Sequence, residues 1–424
     1  MSIATFRAFK NRNYRLFFAG QSISQIGTWM QRTGVSWVVY TITPEPYKAF
    51  MLGVTVFASQ FPSFIFSLVG GIASDRYNRY KVLLFTQVAS MVQAVLMAVL
   101  MLTNHYAVWE ILTLSVILGV INAFDVPARQ PMVHEMITDK EDLPNALALN
   151  SSMVNLARLI GPALSGIVLV KFGAGICFSI NALSFVAVIT SLLSMKFPPY
   201  TPSKVKKKVA LELAEGFVYL KNTRSISIIM LMLALTGLLV LPYNTLLPVF
   251  AKVIFKGDAA TYGYINSFIG LGAIAGSFFL ASLKPGTDLK IVLFGNTIIF
   301  GVFLLLFSHT AYFPFAMLFA TLTGFGMMSQ TTIIMTIIQV NSDKKMRGRV
   351  MSYVAMAYFG MLPLGSLLIG AVSQQIGAPN ALLCQGIIAL IIAALFFKYL
   401  GKDYLDKKKM EQMKEEENVV LEEI

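Results

Sequence analysis

Residues 71–81 read Gly71-Ile-Ala-Ser-Asp75-Arg76-Tyr-Asn-Arg79-Tyr-Lys81, a short charged island with apolar runs on both sides, 50–74 before it and 82–103 after it. Neither run alternates polar and apolar residues, so neither reads as a barrel strand. Each is nearly continuous hydrocarbon over about 20 residues or more, the length an α-helix needs to cross a bilayer. The island is therefore a loop that turns the chain back at a membrane surface. Working outward from it, ten further runs of the same kind appear, at 14–41, 108–131, 146–171, 173–196, 226–253, 261–283, 290–310, 312–338, 350–375 and 378–398. The expected fold class is an all-α membrane protein with twelve transmembrane helices.

Composition excludes the other classes. Of 424 residues, 56% are apolar and 13% charged, about half the charged share of a soluble domain. A disordered chain needs the opposite balance, and a soluble enzyme of this length would lack the polar residues to coat its surface. The two cysteines, Cys177 and Cys384, sit in apolar runs and read as helix packing, not as a disulfide framework. The first run carries Gln21, Gln25 and Arg32 and lacks a small-residue cleavage site, so it reads as a retained helix and not a signal peptide.

The net charge is +13, which in a soluble protein would suggest nucleic acid. Its placement says otherwise. If the N-terminus is cytoplasmic, all but six of the 34 basic residues fall on the cytoplasmic side. The exceptions are Lys48, Lys171, Lys252 and Lys256 on the far side, with Arg32 and Arg158 inside spans. Such a bias orients polytopic proteins, so both termini are expected in the cytoplasm and no nucleic-acid partner is expected.

The longest connection, 197–225, opens with Pro198, Pro199 and Pro202, which break helix. The lysine run Lys204–Lys208 and an amphipathic stretch through Leu211, Leu213, Phe217, Val218 and Leu220 follow. That stretch is expected to lie along the membrane interface. The chain then divides into an N-terminal six-helix half (1–196), the central loop (197–225), a C-terminal six-helix half (226–400) and a charged cytoplasmic tail (401–424). A shift of 204 positions aligns Asp139-Lys140 with Asp343-Lys344, Gly161 with Gly365, Gly166 with Gly370 and Gly173-Ala174 with Gly377-Ala378. Two like-oriented, pseudo-symmetric halves are the parallel-repeat plan of many secondary transporters, with the substrate between them near the midplane.

The island itself matches G-x-x-x-D-R-x-x-R at Gly71, Asp75, Arg76 and Arg79, and so resembles the loop 2–3 motif of the major facilitator superfamily. The resemblance implies a latch between spans 2 and 11 in the outward-facing state. The equivalent loop of the second half, Gly276 to Lys290, lacks the Asp-Arg pair. At the inner end of span 4, Asp125 and Arg129 stand four apart and can pair on one helical face; the family pattern implies that Asp125 also joins the Asp75–Arg79 network. Span 5 carries Arg158-Leu-Ile-Gly161-Pro162-Ala-Leu-Ser165-Gly166, similar to the glycine-proline motif of exporters in the superfamily, with Pro363, Gly365 and Gly370 as its span 11 counterpart. Small residues permit close packing, and proline permits a bend. Together with Asp142-Leu143-Pro144-Asn145-Ala146 and Arg347-Gly348-Arg349-Val350-Met351-Ser352, these stretches resemble the enterobactin-exporter-like branch, which includes siderophore and macrolide exporters.

Polar residues inside spans are costly in hydrocarbon and mark candidate function. Gln21, Gln25, Trp29 and Arg32 form one stripe of span 1. With Gln60, Asn244 and Gln330 they are expected to line a central cavity, in which Arg32 and Arg158 would contact an anionic or catecholate-like substrate. The opposing reading is that such amides bond helix to helix, as is open also for Asn181, Asn266 and Asn296. No acid lies mid-span; Asp125 is the best candidate for proton coupling, which rests on the resemblance alone. His105, His134 and His309 are scattered, so no metal is expected, and no phosphate loop G-x-x-x-x-G-K-[ST] is present. The acidic stretch Glu411 to Glu423 reads as solvated tail.

The expected function is a secondary-active, alternating-access exporter of a small organic molecule such as a siderophore or drug, proton-coupled and without a cofactor. The alternative is a lipid or lysophospholipid flippase on the same fold. An enzyme is not expected, for want of a clustered acid, base or nucleophile. The expected partners are the substrate and the lipid bilayer, with the chain a monomer. The expected location is the plasma membrane, the inner one in a cell that has two.

Overall fold

In hydrocarbon every backbone N–H and C=O must find its partner within the segment, so each apolar run closes on itself as a helix. The computed structural model describes residues 3–104, 106–197, 209–284 and 286–397. His105, the prolines and lysines of 198–208, and the tail from 398 onward lie outside the described residues. Among the described residues there is no strand. The helices are α1 (Arg12–Ile42), α2 (Lys48–Arg76), α3 (Arg79–Leu102) and α4 (Val108–Met136), followed by the continuous segment Leu143–Leu193. That segment is two helices, α5 (143–172) and α6 (174–193), broken at Gly173. After a shorter linker helix, Val209–Asn222, come α7 (Arg224–Leu239), α8 (Ala259–Ala281), α9 (Leu289–Ser308), α10 (Phe313–Asn341), α11 (Arg347–Ile376) and α12 (Ala378–Phe397).

Among the described residues ten helical segments are both long and apolar enough to cross a membrane. The count of spans reaches twelve because Gly173 divides one of them, and because α1, at 31 residues, is long enough to cross but diluted by its polar stripe. The superfamily's twelve-helix architecture in two six-helix halves is thus present. The sequence repeat is also a backbone repeat. Gly173 and Gly377, related by the 204-residue shift, have φ of +81° and +83°, a left-handed region open to glycine without the Cβ clash other residues meet. Each sits where one helix ends and the next starts with almost no loop.

Span 7 departs from the expected single helix. α7 gives way to a 3₁₀ turn, Leu241–Leu246, then to a π turn, Phe250–Ile254. Pro242 and Pro248 each remove a donor from the ladder, so regular helix cannot continue through them. Broken backbone at membrane depth survives where protein or a cavity surrounds it, and this break places Asn244 on an exposed turn.

The apolar cores of the two halves are distinct. One joins residues of the linker helix and α7 to α12, including Leu220, Phe250, Phe300 and Ile338. Two others lie wholly before residue 198, around Tyr14, Leu83 and Met132 and around Val39, Met97 and Phe178. Leu183, Phe85 and Phe278 point outward at 68%, 74% and 71% exposure, as side chains facing lipid do. The linker helix is tied to the second half. Glu215 pairs with Arg349, the Tyr219 hydroxyl accepts from the Asp343 N–H at 3.1 Å, and Phe217 packs near Tyr353. Phe217 and Val218 remain 58% and 55% exposed, on the outer side of the helix.

Candidate functional site

The bundle has a basic end, which carries loop 2–3, the linker helix and loop 10–11, and a far end opposite. At the far end the halves meet backbone to backbone, because glycines remove the side chains that would hold them apart. A Cβ on Gly166 of α5 would lie 2.6 Å from the Ala259 carbonyl of α8, and one on Gly370 of α11 would lie 2.8 Å from the Ala49 carbonyl of α2. Gly263 faces the Pro162 carbonyl and Gly53 the Ser366 carbonyl in the same way. Trp37 of α1 stacks on Tyr262 of α8, with ring centroids 6.1 Å apart and planes 19° from parallel. At the basic end the opposite holds: Gly71, at the end of α2, and Gly348, at the start of α11, have no such neighbour within 4 Å. The molecule is sealed at the far end and open at the basic end.

These contacts give the glycines of the glycine-proline stretches a packing role. No residue of 143–172 leaves helical φ/ψ; within the merged segment only Gly173 does. Pro162 and Pro363 are carried inside helices. Gly161 makes room for Trp29, its Cβ position being 2.5 Å from that of the tryptophan. Gly365 seats against the Leu238 carbonyl and Pro242 of span 7. Gly161 and Gly365 thus pack inside their own halves, while Gly166 and Gly370 pack between halves.

In the middle of the open side two guanidiniums gather on Trp29. Arg32 Cζ is 5.2 Å and Arg158 Cζ 5.3 Å from its ring centroid, distances at which cations are attracted to the indole face. The groups whose charge acts on Arg32 are Arg158, Arg129 and Tyr358; none is a carboxylate. Arg158 reaches Met328 Sδ at 3.8 Å, and its Nε is buried without a partner. Two like charges sharing a site of lowered dielectric repel one another, and an anion between them removes that repulsion. The second half supplies the facing wall. Tyr243, bonded to Met327 Sδ at 3.5 Å, neighbours Arg158, Asn244 and Tyr358, and both Arg32 and Asn244 are exposed although deep in the bundle.

Other expected cavity residues lie elsewhere. Gln330, 1% exposed, has neither amide atom bonded and is enclosed in the second half, as is Asn296 at 3%. Gln21 is 3% exposed; it shares the stripe of Trp29 in sequence, but the helix buries it nearer the basic end. Gln25 and Gln60 are half-buried. Asn181 serves helix packing, donating to Gln31 at 2.5 Å, which in turn donates to Gln93 at 3.0 Å. Tyr243, Tyr358, Met327 and Met328 were not among the sequence candidates. The Pro242–Pro248 break was a signal for Tyr243; nothing in the sequence marks the methionines, which are common in any span.

The charged residues of the loop 2–3 motif form two networks instead of one. Arg79 donates to Glu135 at 2.8 Å, to Asp75 at 3.4 Å and to the Ser74 carbonyl at 3.2 Å. Asp125 stands apart from it, accepting from Gln87 at 2.7 Å and Thr86 at 3.0 Å and pairing with Arg129 at 2.9 Å. The physical reason is direction: Asp125 points at α3, whereas Asp75, 61% exposed, sits at the helix end in water. Gly70, which precedes the motif, abuts a neighbour, the Ala123 carbonyl of α4, whereas the motif glycine Gly71 does not. Among the described residues no group of His, Cys, Asp and Glu is placed to hold a metal.

Known proteins share this plan. The model of a family described as transmembrane secretion effector matches residues 3–423. The staphyloferrin A transporter of Staphylococcus aureus is 25% identical over 388 residues, 90% of this chain and 95% of that protein. The enterobactin exporter of Salmonella typhimurium is 23% identical, covering 92% of each chain, and the multidrug efflux pump Tap of Mycolicibacterium fortuitum is 20% identical over 81% of this chain and 85% of that pump. Among solved structures, a bacterial homologue of the human lysosomal transporter Spinster, inward-facing and unoccupied, superposes with a TM-score of 0.70 at 14% identity, covering 94% of this chain and 98% of that one. The nucleoside transporter NupG gives 0.71 at 12%, covering 91% and 98%.

Proposed function

Because the chain belongs to the transmembrane secretion effector family, a group of membrane transporters of the major facilitator fold and not of enzymes, we propose that it exports a small organic anion by alternating access. The observation that carries this reading is that Arg32 and Arg158 both reach the indole of Trp29 while, among the described residues, no carboxylate acts on Arg32. The relatives named for siderophores make an acidic siderophore the first substrate to try. Residues 1–196 and 226–400 are the rocking halves, 197–225 the linker and 401–424 the tail. The basic end faces the cytoplasm, as its charge implies. Substrate enters there, and the far-end seal of Gly166, Gly370 and the Trp37–Tyr262 stack opens to release it. The reciprocal latch joins Gly71, Asp75, Arg76 and Arg79 to α11. Asp125, 3% exposed within span 4, is the acid assigned to proton exchange: a proton arriving from outside would neutralise it and free Arg129.

The test is a deletion strain complemented with wild type, Arg32→Ala or Arg158→Ala at matched surface expression. Wild type should restore protonophore-sensitive release of the retained anion. Each alanine variant should lose affinity by about 10- to 150-fold, the worth of a charged hydrogen bond of roughly 1.5–3 kcal/mol. Release by Arg32→Ala equal to wild type would overturn the role of the guanidinium pair. Unchanged solute handling with altered leaflet lipids would point to a flippase instead.

A further inference from the structure

One open hollow of the molecule lies away from the seam between the halves. It is a cleft of about 640 Å³ on the outer flank of α2, α3 and α4 at the basic end. A second hollow of about 400 Å³ continues it along α3 and α4. The two share Phe85, Ala89 and Ile121, so they form one groove. Both volumes fall in the range, roughly 300–1,000 Å³, that holds one small molecule. Arg76 and Lys81, both exposed, stand at its mouth with Tyr77 and Asn78. Beyond the mouth the lining is almost wholly apolar, ending at Leu96 and Leu114.

Length and charge together identify the occupant. From Lys81 to Leu96 is 15 residues of α3, about 22 Å of helix at 1.5 Å per residue. One leaflet of a bilayer, headgroup included, is about 20–22 Å, half of the roughly 40–45 Å total. The groove is therefore one leaflet deep, cationic where a headgroup sits and apolar where an acyl chain lies. Its walls face outward: Phe85, Val92 and Leu96 are 74%, 50% and 51% exposed. We propose that this groove is a binding site for one anionic glycerophospholipid of the leaflet at the basic end, its phosphate on Arg76 and Lys81 and one chain along α3 and α4. The lipid is a resident ligand and not the transported molecule. Its chain lies over Thr86, which bonds Asp125, so occupancy reaches the buried acid through one hydrogen bond.

The experiment uses the full chain in phosphatidylcholine nanodiscs doped with phosphatidylglycerol bearing a photoactivatable group on its acyl chain. Cross-links should concentrate on peptides carrying Val92 and Ile117, and unlabelled phosphatidylglycerol should displace them where added phosphatidylcholine does not. Lys81→Gln should weaken labelling about fivefold, as expected for one basic residue at an anionic surface. Ala89→Trp, which fills the shared waist, should abolish it while labelling near the lipid-facing Leu183 of α6 persists. Should Ala89→Trp fail to fold, Lys81→Gln and the competition still decide. Equal labelling at Val92 and Leu183, no loss with Lys81→Gln, or equal displacement by phosphatidylcholine would each overturn the site.

Discussion

Gly166→Val is predicted to open the far end. At Gly166 a Cβ would sit 2.6 Å from the Ala259 carbonyl oxygen and 2.7 Å from the Ala260 Cα. Both are backbone atoms, so no side chain can rotate out of the way, and the strain is relieved by moving α5 from α8. Overpacking of this kind costs about 1–3 kcal/mol. All of it falls on the far-end-closed state, because opening separates these two helices. The closed-to-open ratio should then drop by roughly 5- to 150-fold. Ser36→Cys, beside the Trp37–Tyr262 stack, reports this as its rate of reaction with an impermeant thiol reagent applied from the far side, with Cys177 and Cys384 replaced. The rate should rise at least fivefold for Gly166→Val and less for Gly166→Ala. Gly295→Ala, where a Cβ meets open space, should leave it unchanged. An unaltered rate in a folded, inserted Gly166→Val protein would refute the reasoning that this glycine holds the halves together.

The two acids near loop 2–3 should differ in weight. Asp125→Asn leaves Arg129 without its partner in a largely buried pair, 5% and 23% exposed, and should cost about 2–3 kcal/mol, somewhat below the roughly 3–5 of a fully buried pair. Asp75→Asn, at an exposed pair, should cost under about 1 kcal/mol; thermal unfolding of the purified variants gives the order. Gly70→Ala, which drives a methyl into the Ala123 carbonyl, should lower the melting temperature by the equivalent of about 1–3 kcal/mol, whereas Gly71→Ala should be within about 0.5 kcal/mol of wild type. A loss of transport with Gly71→Ala at unchanged stability would show that its close contact forms in the opposite state. Glu215→Ala, which unties the linker helix from Arg349, should speed proteolysis within 197–225 and shift stability by less than about 1 kcal/mol.

Much of this molecule is legible from residue order alone, because a bilayer imposes its demands locally. A run of about 20 apolar residues must become a helix whatever it later touches, and loop lysines and arginines report sidedness without reference to packing. The same locality made the repeat readable: Gly173 and Gly377 are each demanded by the φ of a single residue. What tertiary structure decided is which way each polar side chain turns and which state the halves occupy. Gln21 and Trp29 share a stripe, yet one is buried and the other faces the open cavity. Asp125 turned to α3, away from Asp75, since a carboxylate at membrane depth takes the donors within its reach, here Thr86 and Gln87 of α3 and Arg129 one turn along its own helix. The contacts of Gly166 and Gly370 exist only between halves separated in sequence by the linker. They depend on the global balance between two packings that one sequence supports, and no local pattern records which of the two prevails.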